Sequence, residues 1–376
     1  MQNRERLLTA LNHQQPDKIP LDFGGCSMSS INIHAYRKFQ KHVGIKNEAE
    51  IANWGSQLAR IDEEVLSNYD VDTRPASISD RNIDQEKRST RYTDLWGAVW
   101  QKSGEGPYIN RGGPFSDLKD PEPADLEDHD WPDPEVLGNV SSEDLQQARQ
   151  YHREGYAVVG ALPVRTISQA QRMRGFDNWL KDCVRNPSFA RALVEKCVEI
   201  GLEATKKQLR AIGDLLDVVV WADDMGTSQG PMISPRAYRE IVKDSQGRIV
   251  RTVKDLADVK VLIHSDGSIY SFLPDLIEIG VDAINPVQHN LGNVKDMDPQ
   301  RLKNEFGDDL AFWGGIDTST VLPRRKPDEV REEVKKRIDQ LGSGGGYVVA
   351  SVHNIQAEVP PENVAAYLEA VREYRS

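Results

Sequence analysis

Short apolar runs and helix-period segments alternate along most of the chain. Seven of these runs have the length of a buried strand, and an eighth strand is predicted within 70–101, where the pattern is mixed. Eight strands alternating with helices favour an α/β fold of the (β/α)8 TIM-barrel type over a doubly wound sheet. The seven runs are Ile19–Phe23, Ala157–Gly160, Leu215–Trp221, Val261–Ile263, Ala283–Asn285, Ala311–Trp313 and Tyr347–Ala350.

The pattern predicts a single domain that spans residues 1–376. An N-terminal helix is expected within 1–15, and 70–140 is expected to be an irregular insertion and surface loop. Inside this insertion Arg91–Gln101 alternates in the manner of a hairpin, whereas Asp117–Pro134 is acidic and broken by prolines. The chain is therefore expected to be a barrel with an N-terminal helical extension and a long acidic loop.

Several helices have recognisable start signals. Ser234 precedes Pro235 in the order of an N-cap followed by a proline in the first turn. The last helix is predicted to begin at Pro360–Glu362 and to run to Tyr374, and Glu48–Leu66 is also predicted to be helical.

Composition narrows the partners and the compartment. A net charge of −12 argues against a nucleic-acid groove or an anionic membrane surface, which leaves a small-molecule substrate as the expected partner. No apolar run approaches the roughly 20 residues of a membrane span, and no secretory signal is expected. Cys26, Cys183 and Cys197 have no CxxC spacing, so a cytoplasmic location without disulfides is predicted.

Polar residues follow the predicted strands at their carboxyl ends, where barrels of this class place their chemistry. His264 and Asp266 follow one strand, and His353 follows the last. Zinc accepts imidazole and carboxylate ligands, and three of them with an open position make a catalytic site. The same histidines could instead be neutral residues that each hold a loop, and both interpretations stand at this point.

Asp223 and Asp224 end the most apolar predicted strand. Two adjacent acids in that position suit a general base or a group that positions the substrate. The alternative is a cap on the loop that follows.

Five further polar residues are candidates for lining a substrate pocket, although each could equally bind a neighbouring loop or pack beside it. They are Asp22, Tyr92, Asn285, Gln288 and Asp317.

The chain resembles the uroporphyrinogen decarboxylase superfamily, and within it the branch of cobamide-dependent methyltransferases. The resemblance covers nearly the whole length and implies a (β/α)8 barrel. It is carried by the segments Asn3–Leu8, Pro16–Pro20, Asp223–Gly226, Gly230–Pro235, His264–Gly267, Phe312–Asp317 and Gly345–Tyr347, and by His353 with Pro360–Asn363.

The methyltransferase branch binds zinc through a His-x-Cys pair and a later Cys, and the matching positions here are His264, Asp266 and His353. The resemblance implies a methyltransferase that takes a methyl group from a small methoxylated or otherwise methylated substrate. The absence of a thiolate at the matching positions favours an oxygen-linked methyl group. Because the chain has no Asp-x-His-x-x-Gly signature, the corrinoid is expected on a separate protein. Catalytic roles would fall to Asp223, Asp224 and His353, and a homodimer is implied by the resemblance alone.

Two alternatives belong to the same superfamily. The decarboxylase branch carries an arginine-rich segment after its first strand, where this chain has Asp22–Ser27 without arginine. A cofactor-free decarboxylase of another carboxylated substrate would use His353 with Asp223 or Asp224 in acid–base roles. A non-catalytic barrel that binds a tetrapyrrole or its carrier is the third interpretation.

Overall fold

A curved parallel sheet forms the centre of the computed structural model, which describes residues 1–76, 90–104, 107–291 and 295–375. Within those ranges the sheet has seven strands, and their spatial order follows their order in the sequence. Every neighbouring pair is parallel. The strands are Thr73–Ala76, Ala157–Ala161, Val218–Ala222, Lys260–His264, Ala283–Asn285, Ala311–Ile316 and Tyr347–Ser351.

Leu21 closes this sheet into a barrel. It forms a parallel bridge with Val349 at one edge of the sheet. At the other edge the Asp72 amide donates to the Leu21 carbonyl at 2.9 Å. The predicted strand Ile19–Phe23 is thus reduced to one bridging residue, and the eighth strand predicted within 70–101 is confirmed as Thr73–Ala76. The predicted TIM-barrel fold is confirmed.

Helices surround the barrel and connect its strands. They are Asn3–Leu11, Ile33–Val43, Glu63–Asn68, Pro134–Leu137, Ser142–Arg153, Ile167–Arg174, Phe176–Arg185, Pro187–Ile212, Pro235–Ile241, Lys243–Leu256, Leu273–Glu278, Pro299–Phe306, Val321–Arg324, Pro327–Leu341 and Pro361–Tyr374, with 3-10 turns at Pro123–Leu126, Gly213–Leu215 and Tyr270–Phe272. Their starts follow capping chemistry, as where Ser234 Oγ accepts from the Ala237 amide at 3.2 Å. In the described ranges, none of the helices has the length and apolar character needed to cross a bilayer.

The apolar side chains of the strands alternate between two separate clusters. Val218, Val220 and Leu262 belong to a small cluster that contains Leu7 and Leu11 of the first helix. The alternate strand positions belong to the large cluster shared with the surrounding helices. Because side chains alternate between the two faces of a strand, the same parity directs residues 222, 264 and 285 toward the barrel axis at the opposite end from the first helix.

The prediction of a helix over Glu48–Leu66 is wrong. Ile51–Asn53 and Leu58–Ala59 form a small antiparallel pair, and a helix begins only at Glu63. Backbone bonds to 31–33 impose this arrangement, since Ile33 donates to the Gln57 carbonyl and Ala59 donates to the Ile31 carbonyl, both at 2.9 Å. Tertiary pairing therefore overrides the local helical preference.

The hairpin predicted within Arg91–Gln101 is confirmed, and the structure extends it to a third strand. The three antiparallel strands are Arg91–Thr93, Val99–Lys102 and Tyr108–Asn110. A further small pair, Gly226–Thr227 with Gly230–Pro231, lies beyond the Val218–Ala222 strand.

A buried ionic cluster, defined here as Arg6, Asp72 and Arg375, joins three distant parts of the chain. Asp72 precedes the first barrel strand and accepts from Arg6 Nη1 at 2.5 Å and from Arg375 Nη1 at 2.9 Å. It also accepts from the Leu21 amide at 2.8 Å. All three charged side chains are at most 4% exposed, so removal of either arginine leaves a buried carboxylate with less compensation.

Candidate metal centre

Three neighbouring strands end at one level. His264 is paired in register with Ala222 on one side and with Asn285 on the other. Because these strands are parallel, the residues directly after them emerge at the same edge of the barrel. Asp224 and Asp266 therefore leave adjacent strands side by side.

His264, Asp266 and His353 converge there, as predicted, and are called the triad below. One ligand atom of each lies within 4.8 Å of the ligand atoms of the other two. Nε2 of His353 is 3.6 Å from Asp266 Oδ2, and Nε2 of His264 is 3.9 Å from the same oxygen. Zinc bonds of the usual length put tetrahedral ligands about 3.4 Å apart, so modest contraction would complete a site. Two imidazoles and a carboxylate thus fit a zinc-like ion.

Asn285 orients the His264 ring. Its Nδ2 donates to the Trp313 carbonyl at 2.9 Å, which directs its Oδ1 toward the imidazole. His264 Nδ1–H then donates to that oxygen at 2.5 Å. The proton on Nδ1 leaves the Nε2 lone pair directed toward Asp266, which is the tautomer that a metal requires.

Asn354 does the same for His353. Its Oδ1 accepts from Gln356 Nε2 and from His353 Nδ1–H, the latter at 2.9 Å. The Gln356 amide is itself fixed by donation to the Asn354 backbone carbonyl at 3.1 Å. Both rings therefore direct Nε2 toward the triad, although they reach it from different strands.

Asp224 is the acid that faces the triad. Its Oδ1 lies 3.9 Å from His264 Nε2 and accepts from the Asp266 amide at 3.1 Å. Its side chain is 46% exposed, compared with 42% for His353 and 37% for Asp266. The centre is consequently open to solvent and to a substrate.

Asp223, by contrast, is fully buried and saturated with donors. It accepts from the backbone amides of Thr166 and Ser168 at 2.8 and 2.7 Å, and from both of their hydroxyl groups. Trp221 Nε1 lies 3.4 Å away. No lone pair is left for a substrate, so Asp223 anchors the 166–168 turn, and the catalytic role predicted for the pair stays a prediction for Asp224 alone.

The loops that carry Asp224 and Asp266 cross at two glycines. Gly267 has φ +84°, and a Cβ there would lie 2.4 Å from the carbonyl carbon of Gly226. Only residues without a side chain allow this approach. The crossing holds the two carboxylates in one place.

Three of the residues predicted to bind substrate are engaged by neighbouring groups. Gln288 Oε1 accepts from the Gly267 amide at 2.8 Å, and Asp317 caps the Ser319 and Thr320 amides at 2.6 and 2.9 Å. Asn285 orients His264, as described above. In this arrangement their contacts shape the loops around the triad.

Asp22 and Tyr92 lie apart from the triad's direct contacts. Asp22 is fully buried and accepts from Thr73 Oγ1 at 2.6 Å and Trp313 Nε1 at 2.7 Å. Burial raises its pKa despite these bonds. Tyr92 belongs to the outer three-stranded sheet, where it stacks on Trp100 with ring centroids 6.5 Å apart.

Sequence reasoning missed two groups of residues. One comprises Asn354 and Gln356, which follow His353 directly. The other comprises Arg165 and Arg172, which follow the strand Ala157–Ala161. The position shortly after a strand end, which identified the acids, was available as a signal for Asn354, Gln356 and Arg165, but not for Arg172, which lies within the helix Ile167–Arg174.

Comparison with known proteins agrees with this architecture. The family model for uroporphyrinogen decarboxylase (URO-D) matches residues 112–374. The uroporphyrinogen decarboxylase of Hydrogenovibrio crunogenus is 31% identical over 147 residues, which cover 38% of this chain and 39% of that protein. That of Pseudoalteromonas translucida is 24% identical over 280 residues, 73% of each chain.

The alignment thus spans about two fifths of the first of these relatives. Among solved structures, a methyltransferase from Methanosarcina mazei matches over the full length of both chains, with a TM-score of 0.69 and 16% identity. This likeness establishes a shared fold. Because the family model matches residues 112–374, which is most of this chain, the chain belongs to the uroporphyrinogen decarboxylase family.

Proposed function

We propose that the chain is a methyltransferase that takes a methyl group from a small O-methylated substrate and passes it to the corrinoid of a separate protein. Zinc would be held by His264, Asp266 and His353. The observation that carries this proposal is the convergence of the triad, with both imidazoles turned so that Nε2 faces one carboxylate oxygen.

The donor set suits an oxygen leaving group. Two neutral imidazoles and one carboxylate leave a divalent ion with net positive charge, whereas thiolates would neutralise it. Bound zinc would supply Lewis acidity at the substrate oxygen. The triad itself contains no sulfur ligand.

Asp224 is suited to manage the proton. When the methyl group leaves without its bonding electrons, the oxygen retains the electron pair and needs a proton. Asp224 lies beside His264 and is half exposed, so it could relay one from solvent. The same exposure would allow a corrinoid carried on another protein to approach the methyl group. A homodimer is also proposed, on the family likeness alone.

Metal analysis tests the triad. Untagged wild-type protein is expected to hold about one zinc per chain, and His264→Ala and His353→Ala are expected to lose it. His42→Ala, which removes an exposed imidazole on an outer helix, should retain the metal. A wild-type protein that takes up no zinc after zinc addition would refute the ligand assignment, and stoichiometric cobalt would refute the separate carrier.

A metal-free decarboxylase is the second candidate, favoured by the family match itself. Its acid–base groups would be His353 and Asp224, since Asp223 is sealed from solvent. Release of carbon dioxide from a carboxylated substrate without metal or corrinoid would support it. Methyl transfer to added cob(I)alamin that depends on zinc would decide against it.

A further inference from the structure

Two arginine side chains approach the candidate metal centre without a carboxylate partner. Arg165 precedes the helix Ile167–Arg174, and Arg172 lies within it. Ser168 and Arg172 are one turn apart and so share a face of this helix. Ser168 Oγ donates to Asp223 at 3.0 Å and accepts from the Asp224 amide at 3.2 Å, so this face borders the mouth of the barrel.

Each guanidinium has a defined but incomplete set of contacts. Arg165 Nη1 donates to the Ala222 carbonyl at 2.9 Å, two residues before Asp224. The central carbon of the Arg172 guanidinium lies 5.2 Å from the ring centroid of Trp100. Throughout the part of the chain that the structure describes, no carboxylate oxygen lies within 4.0 Å of either guanidinium.

Other arginines buried in this protein are paired. Arg174, two residues further along the same helix, donates to Asp182 at 2.7 Å. The same holds for Arg6 with Asp72, Arg74 with Glu63, Arg337 with Glu333 and Arg375 with Asp72. A half-buried pair of like charges is costly unless an anion compensates it.

The electrostatics of the pair favour the binding of an anion. Burial and the nearby positive charge of Arg165 lower the pKa of Arg172 to about 10. Asp94, Asp223 and Asp224 attract Arg172 from a longer distance and offset only part of that effect.

We propose that Arg165 and Arg172 bind a carboxylate group of the substrate at the barrel mouth. Guanidinium groups match the planar geometry of a carboxylate and form charge-assisted hydrogen bonds with it. The carboxylate would bind the two arginines, and the methylated oxygen of the same substrate would lie at the triad. Only the placement of the methylated oxygen rests on the proposed methyltransferase function. The substrate is then an organic acid.

A carboxylate suits this environment better than a phosphate group does. Carboxylates already lie around the two guanidiniums at longer range, among them Asp94, Asp223 and Asp224. A singly charged group therefore adds less repulsion than a doubly charged one. The Trp100 ring beneath Arg172 offers a flat apolar surface beside the charge.

Calorimetric titration with benzoate, benzamide and inorganic phosphate tests the assignment. Wild-type protein should bind benzoate about tenfold or more tightly than benzamide, which has the same shape without the charge. Arg165→Gln and Arg172→Gln should each lose this preference. Arg185→Gln removes an exposed arginine from an outer helix and should leave it unchanged.

Arg172→Lys is the control for loss of folding, because lysine retains the positive charge at this position. It loses the planar guanidinium, so a partial preference for benzoate over benzamide is expected. Equal binding of benzoate and benzamide by the wild type would overturn the proposal. So would an equal loss in Arg185→Gln, or tighter binding of phosphate than of benzoate.

The titrations are run with and without added zinc, which separates the two proposals. A benzoate preference in a protein that binds no zinc would refute the metal centre alone. Zinc binding without any preference would refute the carboxylate site alone.

Discussion

Replacing Asn285 by alanine should weaken zinc binding without removing any metal ligand. Asn285 is 1% exposed and connects the His264 ring to the Trp313 carbonyl through bonds of 2.5 and 2.9 Å. The change frees the ring to rotate or to change tautomer. Loss of such an orienting partner typically costs ten- to a hundredfold in metal affinity, about 1.4–2.8 kcal/mol. The hydrogen bond at His264 Nδ1 contributes about 1 kcal/mol, near the lower end of that range, whereas loss of the bond to the Trp313 carbonyl lowers stability with or without metal.

The assay is zinc competition against a chelator of known affinity, with thermal unfolding of the same samples. Asn285→Asp keeps an oxygen on His264 Nδ1 and should retain most of the affinity. Asn363→Ala is the matched control, since Asn363 is equally buried and donates to the Leu322 and Arg325 carbonyls at 2.8 Å instead of to a residue of the triad. Zinc affinity of Asn285→Ala within about twofold of wild type would refute the orienting role.

Two further predictions concern stability. Arg375→Ala leaves the buried Asp72 with one arginine, and the free energy of unfolding in urea should fall by about 3–5 kcal/mol. Burial raises the pKa of Glu333, but hydrogen bonds from His289 and Arg337 outweigh it and lower the pKa from 4.5 to about 2. The folded state thus favours the charged form, so up to about 3 kcal/mol of stability, complete above pH 5, is lost as the pH falls from about 4.5 to 2. Glu333→Gln should abolish this pH dependence.

Each of these two stability predictions has a matched control variant. Arg331→Ala breaks a surface pair with Glu373 and should cost less than about 1 kcal/mol; a similar small loss in Arg375→Ala would contradict the importance of the buried ionic cluster. Glu332→Gln makes the same charge change at an exposed neighbour of Glu333. If both glutamine variants retain the acid-dependent loss, the Glu333 assignment fails.

The barrel could be predicted because its strands are buried on both faces and therefore appear as continuous apolar runs, as in Val218–Ala222. The strand pair within 48–66 could not be predicted, because it depends on backbone hydrogen bonds to 31–33. The strand at Leu21 was overestimated because Pro20 has no amide to donate and Gly24 turns the chain at φ +85°.

The convergence of His264, Asp266 and His353 could be predicted from their place after strand ends. The burial of Asp223 and the exposure of Asp224 could not be predicted, because the donors that saturate Asp223 come from Thr166 and Ser168, far away in the sequence. The tautomers likewise depend on side-chain geometry that sequence spacing does not contain. Arg172 was missed because, within a helix, it resembles any solvated surface charge.

Closure of the barrel through Leu21 has a consequence for folding. Leu21 pairs with Val349 on one side and with Asp72 on the other. The pairing with Val349 brings the two ends of the sequence together. Contacts of such large sequence separation carry the greatest loop-closure entropy, so this bridge is expected to form late. Until then the strands Thr73–Ala76 and Tyr347–Ser351 are open edges, and refolding at high concentration should favour edge-to-edge association between chains.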